Sequence, residues 1–315
     1  MRNIIIGLGI LILFFGGFFV FKNLKSSPKL TPVPLFVEET ASGSALYQNT
    51  GTVKASVKLI SESVPMLTQI EITPDGNTML VGTLPGKIFA FQKQDGAWKK
   101  QIEPFFDLPT SQPGWPPEEA GLTGIVFSAD FETSHDIFLN YSFAFEKSSF
   151  RNRVTRITFS KDGDKIVGKD AKQIFEANAP GTGSHQIQDG VGIMISGKPY
   201  ELFTLGEGFV AKRALDPKQE AGKVMIIDRD GQAPPGKRPF ADNPKIQAIG
   251  IRNAPAIALN PKNNFVAVGD TGPNNFDRFI YGAFFDKDGG NDKLLSFNWD
   301  ETEASLQKPA LDLYQ

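Results

Sequence analysis

An all-β protein of the propeller type is the fold this sequence predicts, because four stretches of the chain repeat one pattern. Each is a short apolar strand, a polar turn containing Pro, Asp, Asn or Gly, and a second apolar strand closing on a small or acidic residue. They begin at Ile70, Ile125, Ile193 and Ile257, so successive starts lie 55, 68 and 64 residues apart. Self-similarity on this scale marks radial repetition, with two antiparallel strands and their outer partners forming one blade. No stretch beyond residue 30 sustains a 3.6-residue apolar period, which argues against a helical or βαβ architecture. Asp162-Gly163 and Asp230-Gly231, set between apolar runs, are hairpin chemistry.

Taken in order, the chain opens on Ile4 to Phe21, eighteen residues without a charge, flanked by Arg2 and by Lys22, Lys25 and Lys29. As a helix this run is about 27 Å long, close to the roughly 30 Å of a bilayer's hydrocarbon core. Residues 1–25 therefore read as a membrane anchor or signal segment. The adjoining FKNLKSSPKL lacks a small-x-small cleavage pattern, which favours an uncleaved transmembrane anchor. Residues 26–50, with Pro28, Pro32 and Pro34 among Ser, Thr and Gly, read as a flexible tether. They set the body, residues 51–315, outside the cytoplasm, in a periplasmic or extracellular setting.

Within the body each repeat is followed by a further strand candidate. KIFAFQ begins at Lys87, VTRITFSK at Val154, GKVMIIDRDG at Gly222 and KLLSFNWDE at Lys293. This makes about four blades. The residues after Gly272 suffice to complete the fourth, so the chain is expected either to form a four-bladed ring or to stop before a larger ring closes. An unclosed ring leaves a raw sheet edge.

Composition narrows the function. The 315 residues carry 33 Lys+Arg against 35 Asp+Glu, a net charge of −2, with 40% hydrophobic and 22% charged residues. That is globular, and it has no basic footprint for nucleic acid. With no cysteine there is no disulfide, thiolate metal site or cysteine nucleophile. Two histidines argue against a multi-histidine metal centre. Neither a strand-to-helix GxGxxG, nor a GK[ST] loop, nor a G-x-S-x-G elbow occurs in the body.

Few residues then carry chemistry. His185, in the Gly-rich GTGSHQIQDG entering a strand, is either a general base or a loop histidine bonded to backbone. Arg252, in IGIRNAPAI before an inner strand, is either an anion-holding cation or a structural link between blades. Gly272 and Pro273, in GDTGPNNFD, make a good turn on their own account. His135, in the polar turn ETSHDIF, reads as exposed and without a role.

In register, these strings resemble a known family. GLTGIVFSADFETSHDIFLNYS is similar to the GGLLGLAFHPDF-type signature of the glucose/sorbosone dehydrogenases, which are six-bladed quinoprotein propellers using pyrroloquinoline quinone (PQQ) and calcium. The likeness continues through the lone histidine of GSHQIQDG and through AGKVMIIDRDGQAPPGKRPFADNP, and is strongest over IGIRNAPAIALNPKNNFVAVGDTGPNNFD. It covers nearly the whole body. KPALDLYQ looks like a segment that precedes the final blades in the family, so the resemblance favours the truncated reading.

The resemblance implies oxidation of aldose sugars at the anomeric carbon by hydride transfer to PQQ. His185 becomes the base and a cofactor contact, and Arg252 the electrophilic partner of the quinone, with Asn253 beside it as a further cofactor contact. Glu119, in PPEEAGLTG, lines the cofactor cleft, and the backbone carbonyls of Gly272 and Pro273 ligate calcium. The chain departs from the family pattern where Asp277-Arg278 follows the GP loop, and where Gln186-Ile187-Gln188-Asp189 replaces a Gly-Gly-Arg run. Arg278 and, on the truncated reading, the missing last blades motivate the alternative of a propeller that binds a ligand or partner without redox chemistry. A calcium-dependent lactonase is disfavoured because the inner-strand starts are poor in Asp and Glu.

Overall fold

The computed structural model describes residues 60, 64–110, 121–146, 149–180, 183–236, 240, 242–260, 262, 265–271, 278–283 and 295–296. All but Ile60 fall in one unit, Ser61–Gln315. The anchor and tether, residues 1–50, lie outside the described residues. Among those described, no helix is long and apolar enough to cross a membrane.

Four antiparallel meanders succeed one another along the chain. The first sheet runs β1 (Leu67–Ile72), β2 (Thr78–Thr83), β3 (Lys87–Gln94) and β4 (Ala97–Lys100), with β5 (Phe106–Asp107) pairing back onto β3. The second is β6 (Leu122–Phe127), β7 (Asp136–Glu146), β8 (Ser149–Asp162) and β9 (Lys165–Pro180). The third comprises β10 (Ile187–Ile195), β11 (Lys198–Leu205), β12 (Lys223–Ile227) and β13 (Ile246–Ile249). The fourth contains β14 (Ala256–Asn260), β15 (Phe265–Asp270) and β16 (Arg278–Ala283). A short β17 (Leu295–Ser296) pairs in parallel with β13, so these two residues of the predicted KLLSFNWDE strand join the edge of the third sheet, not the fourth. Helix is confined, among the described residues, to single turns at Phe131–Ser134 and Lys212–Leu215.

Each predicted pair of strands forms, and local turn chemistry shows why. Between β1 and β2, Asp75 accepts from the Thr73 hydroxyl at 2.5 Å and from the Asn77 backbone N–H at 3.0 Å, while Gly76 takes φ 70°. Ser196 and Gly197, both at positive φ, close the two-residue β10–β11 hairpin at the Ile195–Lys198 pair. Asp162-Gly163 closes β8 onto β9 as expected. Asp230-Gly231 does not close a hairpin. Its turn is tied by Asp228, whose N–H donates to the Gln232 carbonyl at 2.7 Å and whose carboxylate takes the N–H groups of Asp230 and Gln232. Among the described residues the next strand to pair is β13, which starts at Ile246.

The innermost strands β1, β6, β10 and β14 lie side by side in chain order, the arrangement of successive propeller blades. Three apolar layers fill the spaces between sheets. Leu80, Ile88 and Phe105 meet Ile125, Leu139 and Ile157 in the first. Phe138, Val154 and Phe175 meet Phe203, Met225 and Ile246 in the second. Ile193, Leu202 and Ile226 meet Ile257, Val266 and Val268 in the third. Burial of apolar area is the main stabilising term in each.

Side chains also stitch inner strand to inner strand. Gln69 donates to the Thr123 carbonyl, Thr123 Oγ1 donates to the Ile187 carbonyl at 2.8 Å, and Gln188 donates to Asn253 Oδ1 at 3.1 Å. Thr123→Val keeps the volume but leaves a part-buried carbonyl without its donor. It is expected to lower unfolding free energy by about 1–2 kcal/mol, read as a shift in the denaturant midpoint.

Candidate active site

The loops entering the third and fourth inner strands come together at one end of the sheets. The backbone N–H of Gly206 donates to the Gln186 carbonyl, that of Gly208 to the His185 carbonyl and that of Glu207 to the Arg252 carbonyl, at 3.0, 3.1 and 2.9 Å. Gly206 is required here, since a Cβ at this position would lie 2.4 Å from the His185 carbonyl oxygen. His185 and Arg252, far apart in sequence, thus share one loop cluster.

His185 is 6% exposed and Glu207 2%. The imidazole Nδ1 lies 3.0 and 2.9 Å from the two carboxylate oxygens of Glu207. An ionised carboxylate can only accept, so Nδ1 carries the proton and Nε2 keeps its lone pair. Should Nε2 take up a proton, the same carboxylate stabilises the resulting imidazolium. On one face, the Phe209 ring stacks on the imidazole with centroids 3.9 Å apart and planes 21° apart. Below it, Gln186 accepts from Asn152 Nδ2 at 3.1 Å, and Asn152 Oδ1 takes the Ile187 N–H at 3.0 Å and the Ser142 hydroxyl at 2.8 Å. The histidine loop is held from two sides.

Arg252 and Asn253 are held by Asp270, at the end of β15. Its buried carboxylate accepts both backbone N–H groups, at 3.2 Å for Arg252 and 2.7 Å for Asn253. The Arg252 guanidinium donates from Nη1 to the Thr271 carbonyl at 3.0 Å, and it makes no ion pair among the described residues. Glu207 and Asp270 do equivalent work. Each closes the second strand of its repeat and bonds to the loop that leads into the first. Sequence reasoning marked those strand ends as small or acidic without assigning either residue; LGEG and VGDTG were the available signal.

The segment after Glu207 is anchored by Lys223, which is fully buried. Its Nζ donates to the carbonyls of Arg213, Ala214 and Ala221 at 2.7, 2.9 and 2.6 Å, and burial pushes its pKa down to about 8.

A separate group of carboxylates lies along the inner strands. Glu71 and Asp189 line a cavity of about 350 Å³ that also touches Ile125, Phe127, Val191 and Leu259. Burial raises Glu71 to about 7, with the Asp189 charge adding to the rise, and raises Asp189 to about 6. Glu201, on β11, is wholly buried between the second and third sheets, and burial drives it to about 8. The Asn140 amide lies near enough to pull that value down somewhat. Even so, the Glu201 oxygens and both Asn140 amide atoms lack a partner within hydrogen-bond geometry.

His135 caps the helical turn at Phe131–Ser134 from an exposed position at φ 58°, away from this chemistry. Glu119, Gly272 and Pro273 lie outside the described residues. Among the described residues no three acidic or histidine side chains converge on a metal site.

Residues 64–280 match the glucose/sorbosone dehydrogenase family, and the chain belongs to it. Over 238 residues the chain is 26% identical to the aldose sugar dehydrogenase YliI of Escherichia coli, a match covering 74% of this chain and 60% of that protein. The solved apo form of the soluble aldose sugar dehydrogenase from Escherichia coli aligns with a TM-score of 0.57 at 22% identity, over 71% of this chain and 62% of that one. The PQQ-bound aldose sugar dehydrogenase of Streptomyces coelicolor gives 0.59 at 20% identity, over 78% and 66%. These structural likenesses establish the fold. The chain spans about 60% of the length of the Escherichia coli relative it matches.

Proposed function

We propose that the protein oxidises aldose sugars at the anomeric carbon, as an oxidoreductase dependent on PQQ and calcium. The observation that carries this reading is the buried His185–Glu207 pair, whose geometry leaves Nε2 as a base beside the Arg252 loop. In the reaction Nε2 takes the proton of the anomeric hydroxyl, the carbon's hydrogen leaves with its electron pair, and the carbon–oxygen bond becomes the carbonyl of a lactone. Glu207 keeps the imidazole in the reactive tautomer and stabilises its protonated form. When bound, PQQ supplies the two-electron acceptor and calcium its polarisation.

The residues fit such a polyanionic group at Arg252, a guanidinium with no ion pair among the described residues. Asn253, held by Asp270 and bonded to Gln188, stands beside it. By resemblance, Glu119 lines the same cleft and the carbonyls of Gly272 and Pro273 ligate calcium. The uncharged run from Ile4 to Phe21 supports placing this domain outside the cytoplasm on a membrane anchor. The test adds PQQ and calcium, together and separately, to the full chain and monitors aldose-dependent reduction of an artificial dye. Turnover that requires both is the expected result. A chain that binds PQQ yet reduces no dye with any aldose supports the non-catalytic binding alternative, and one that binds no PQQ overturns the reading.

A further inference from the structure

A cavity of about 350 Å³ lies at the common centre of the blades, outside the proposed chemistry. All four inner strands wall it: Glu71 from β1, Ile125 and Phe127 from β6, Asp189 and Val191 from β10, and Leu259 from β14. Neither His185 nor Arg252 lines it. Among the described residues no lysine or arginine reaches the cavity wall, and none pairs with Glu71 or Asp189. Two carboxylates thus share an apolar enclosure without a cation. Burial holds both well above the usual carboxylate range, and the Asp189 charge adds to the rise at Glu71. A third carboxylate stands behind them. Glu201 and Asn140 are wholly buried, and a Cβ on the cavity-lining Gly190 would fall 2.9 Å from Glu201 Oε1 and 3.1 Å from Asn140 Nδ2. Both side chains are therefore turned onto the bare backbone of the cavity wall. Neither the Glu201 oxygens nor the Asn140 amide atoms have a hydrogen-bond partner among the described residues. Buried polar atoms in that condition call for a ligand, an ion or water.

We infer that this central cavity binds a small organic ammonium ion: Glu71 and Asp189 take its charge, Glu201 adds to the negative field from behind Gly190, and Ile125, Phe127, Val191 and Leu259 pack on its carbon chain. An apolar enclosure with a few convergent polar groups is the usual form of a small-molecule site. A bare divalent ion is the poorer match, since it wants roughly six to eight oxygens around one point. Among the described residues no three acidic side chains so converge, and the apolar wall offers such an ion nothing. A carbon chain, by contrast, gains from burial against that wall. Two carboxylates favour a diamine, whose paired charges neutralise both. The inference is independent of the proposed sugar oxidation.

The test titrates 1,4-diaminobutane into the full chain by calorimetry at about pH 8, where an alkylammonium, like lysine, keeps its charge. Saturable one-to-one binding is expected, and none of 1,4-butanediol, the neutral isostere. Glu71→Gln and Asp189→Asn are each expected to weaken binding about tenfold or more, since each removes one charge partner. A bound cation takes the place of protons on Glu71 and Asp189. Binding near pH 6.5 is therefore expected to release on the order of one proton, read as a heat that depends on the buffer, and affinity to fall at least about tenfold from pH 8 to pH 5. Urea midpoints confirm that the variants fold; proton release and the diol comparison, both made on wild type, stand without them. No binding of the diamine overturns the inference, as does equal binding of the diol. Unchanged affinity in both variants places the diamine elsewhere and overturns it too. Displacement of the diamine by an equimolar amount of calcium chloride makes the cavity a metal site and overturns the assignment to an organic cation.

Discussion

His185→Ala is expected to lower kcat for aldose oxidation by roughly two to four orders of magnitude while leaving PQQ affinity nearly unchanged. The histidine is the only described group in the loop cluster with a lone pair held ready, at Nε2, by a bond on its other nitrogen. Glu207→Gln sharpens the test. A glutamine amide can donate to Nδ1, which moves the ring proton to Nε2 and removes the base without removing the ring. Its expected loss in kcat is also on the order of a hundredfold or more, with the fold intact because the side chain keeps its volume. Steady-state dye reduction, with cofactor affinity measured by titration, separates chemistry from binding. Should Glu207→Gln retain full kcat, the carboxylate is a structural brace only and the tautomer argument fails.

Stability is expected to fall as pH rises from about 5 to about 8, and the Glu201→Gln variant is expected to lose about half of that slope. Glu201 titrates near its ordinary 4.5 when unfolded and near 8 when folded, because a wholly buried carboxylate in an apolar layer disfavours its charge. Between those values the folded state holds a proton that the unfolded state has released. Unfolding therefore releases a proton, and raising the pH favours unfolding across that window. By pH 7 the difference is on the order of 3 kcal/mol at about 1.4 kcal/mol per pH unit. Glu71, raised to about 7, and Asp189, raised to about 6, act in the same sense. Glutamine at 201 is neutral at every pH. The variant should match wild type near pH 5 and exceed it at pH 8, in urea midpoints taken across the series. A wild-type midpoint independent of pH over this range would sink the argument.

Much of the fold was legible because its determinants are local. The four strand pairs starting near Ile70, Ile125, Ile193 and Ile257 declare themselves through apolar runs broken by turn residues, and Asp75, Gly76, Ser196 and Gly197 act within a few residues of their own positions. The exposure of His135 was legible for the same reason. Where the reading of Asp230-Gly231 as a hairpin failed, the turn itself formed as its sequence dictates. Whether a turn becomes a hairpin depends on where the next partner strand lies, and β13 comes only at Ile246.

The candidate site divides along the same line. Its principal residues, His185 and Arg252, were singled out from residue type and setting, with the family resemblance deciding between chemical and structural roles. Glu207 and Asp270 were visible only as acidic strand ends, and Phe209 carried no signal, since an aromatic residue in a loop does not declare what it covers. Glu201 sits among the apolar residues of PYELFTL, and alternation alone does not say whether its face meets water or another sheet.

By itself, then, the sequence determined an all-β chain of repeated strand pairs, a composition without cysteine, and a histidine and an arginine set in inner-strand loops. These come from period, turn residues and counts, which need no knowledge of distance. Only the tertiary structure decided that Glu207 holds His185, that Asp270 holds the Arg252 loop, that Phe209 covers the imidazole, and that Glu201 faces Asn140 without a partner. Each pairs groups from different strands or loops, and their encounter is set by how successive sheets pack about a common centre, which no local pattern encodes.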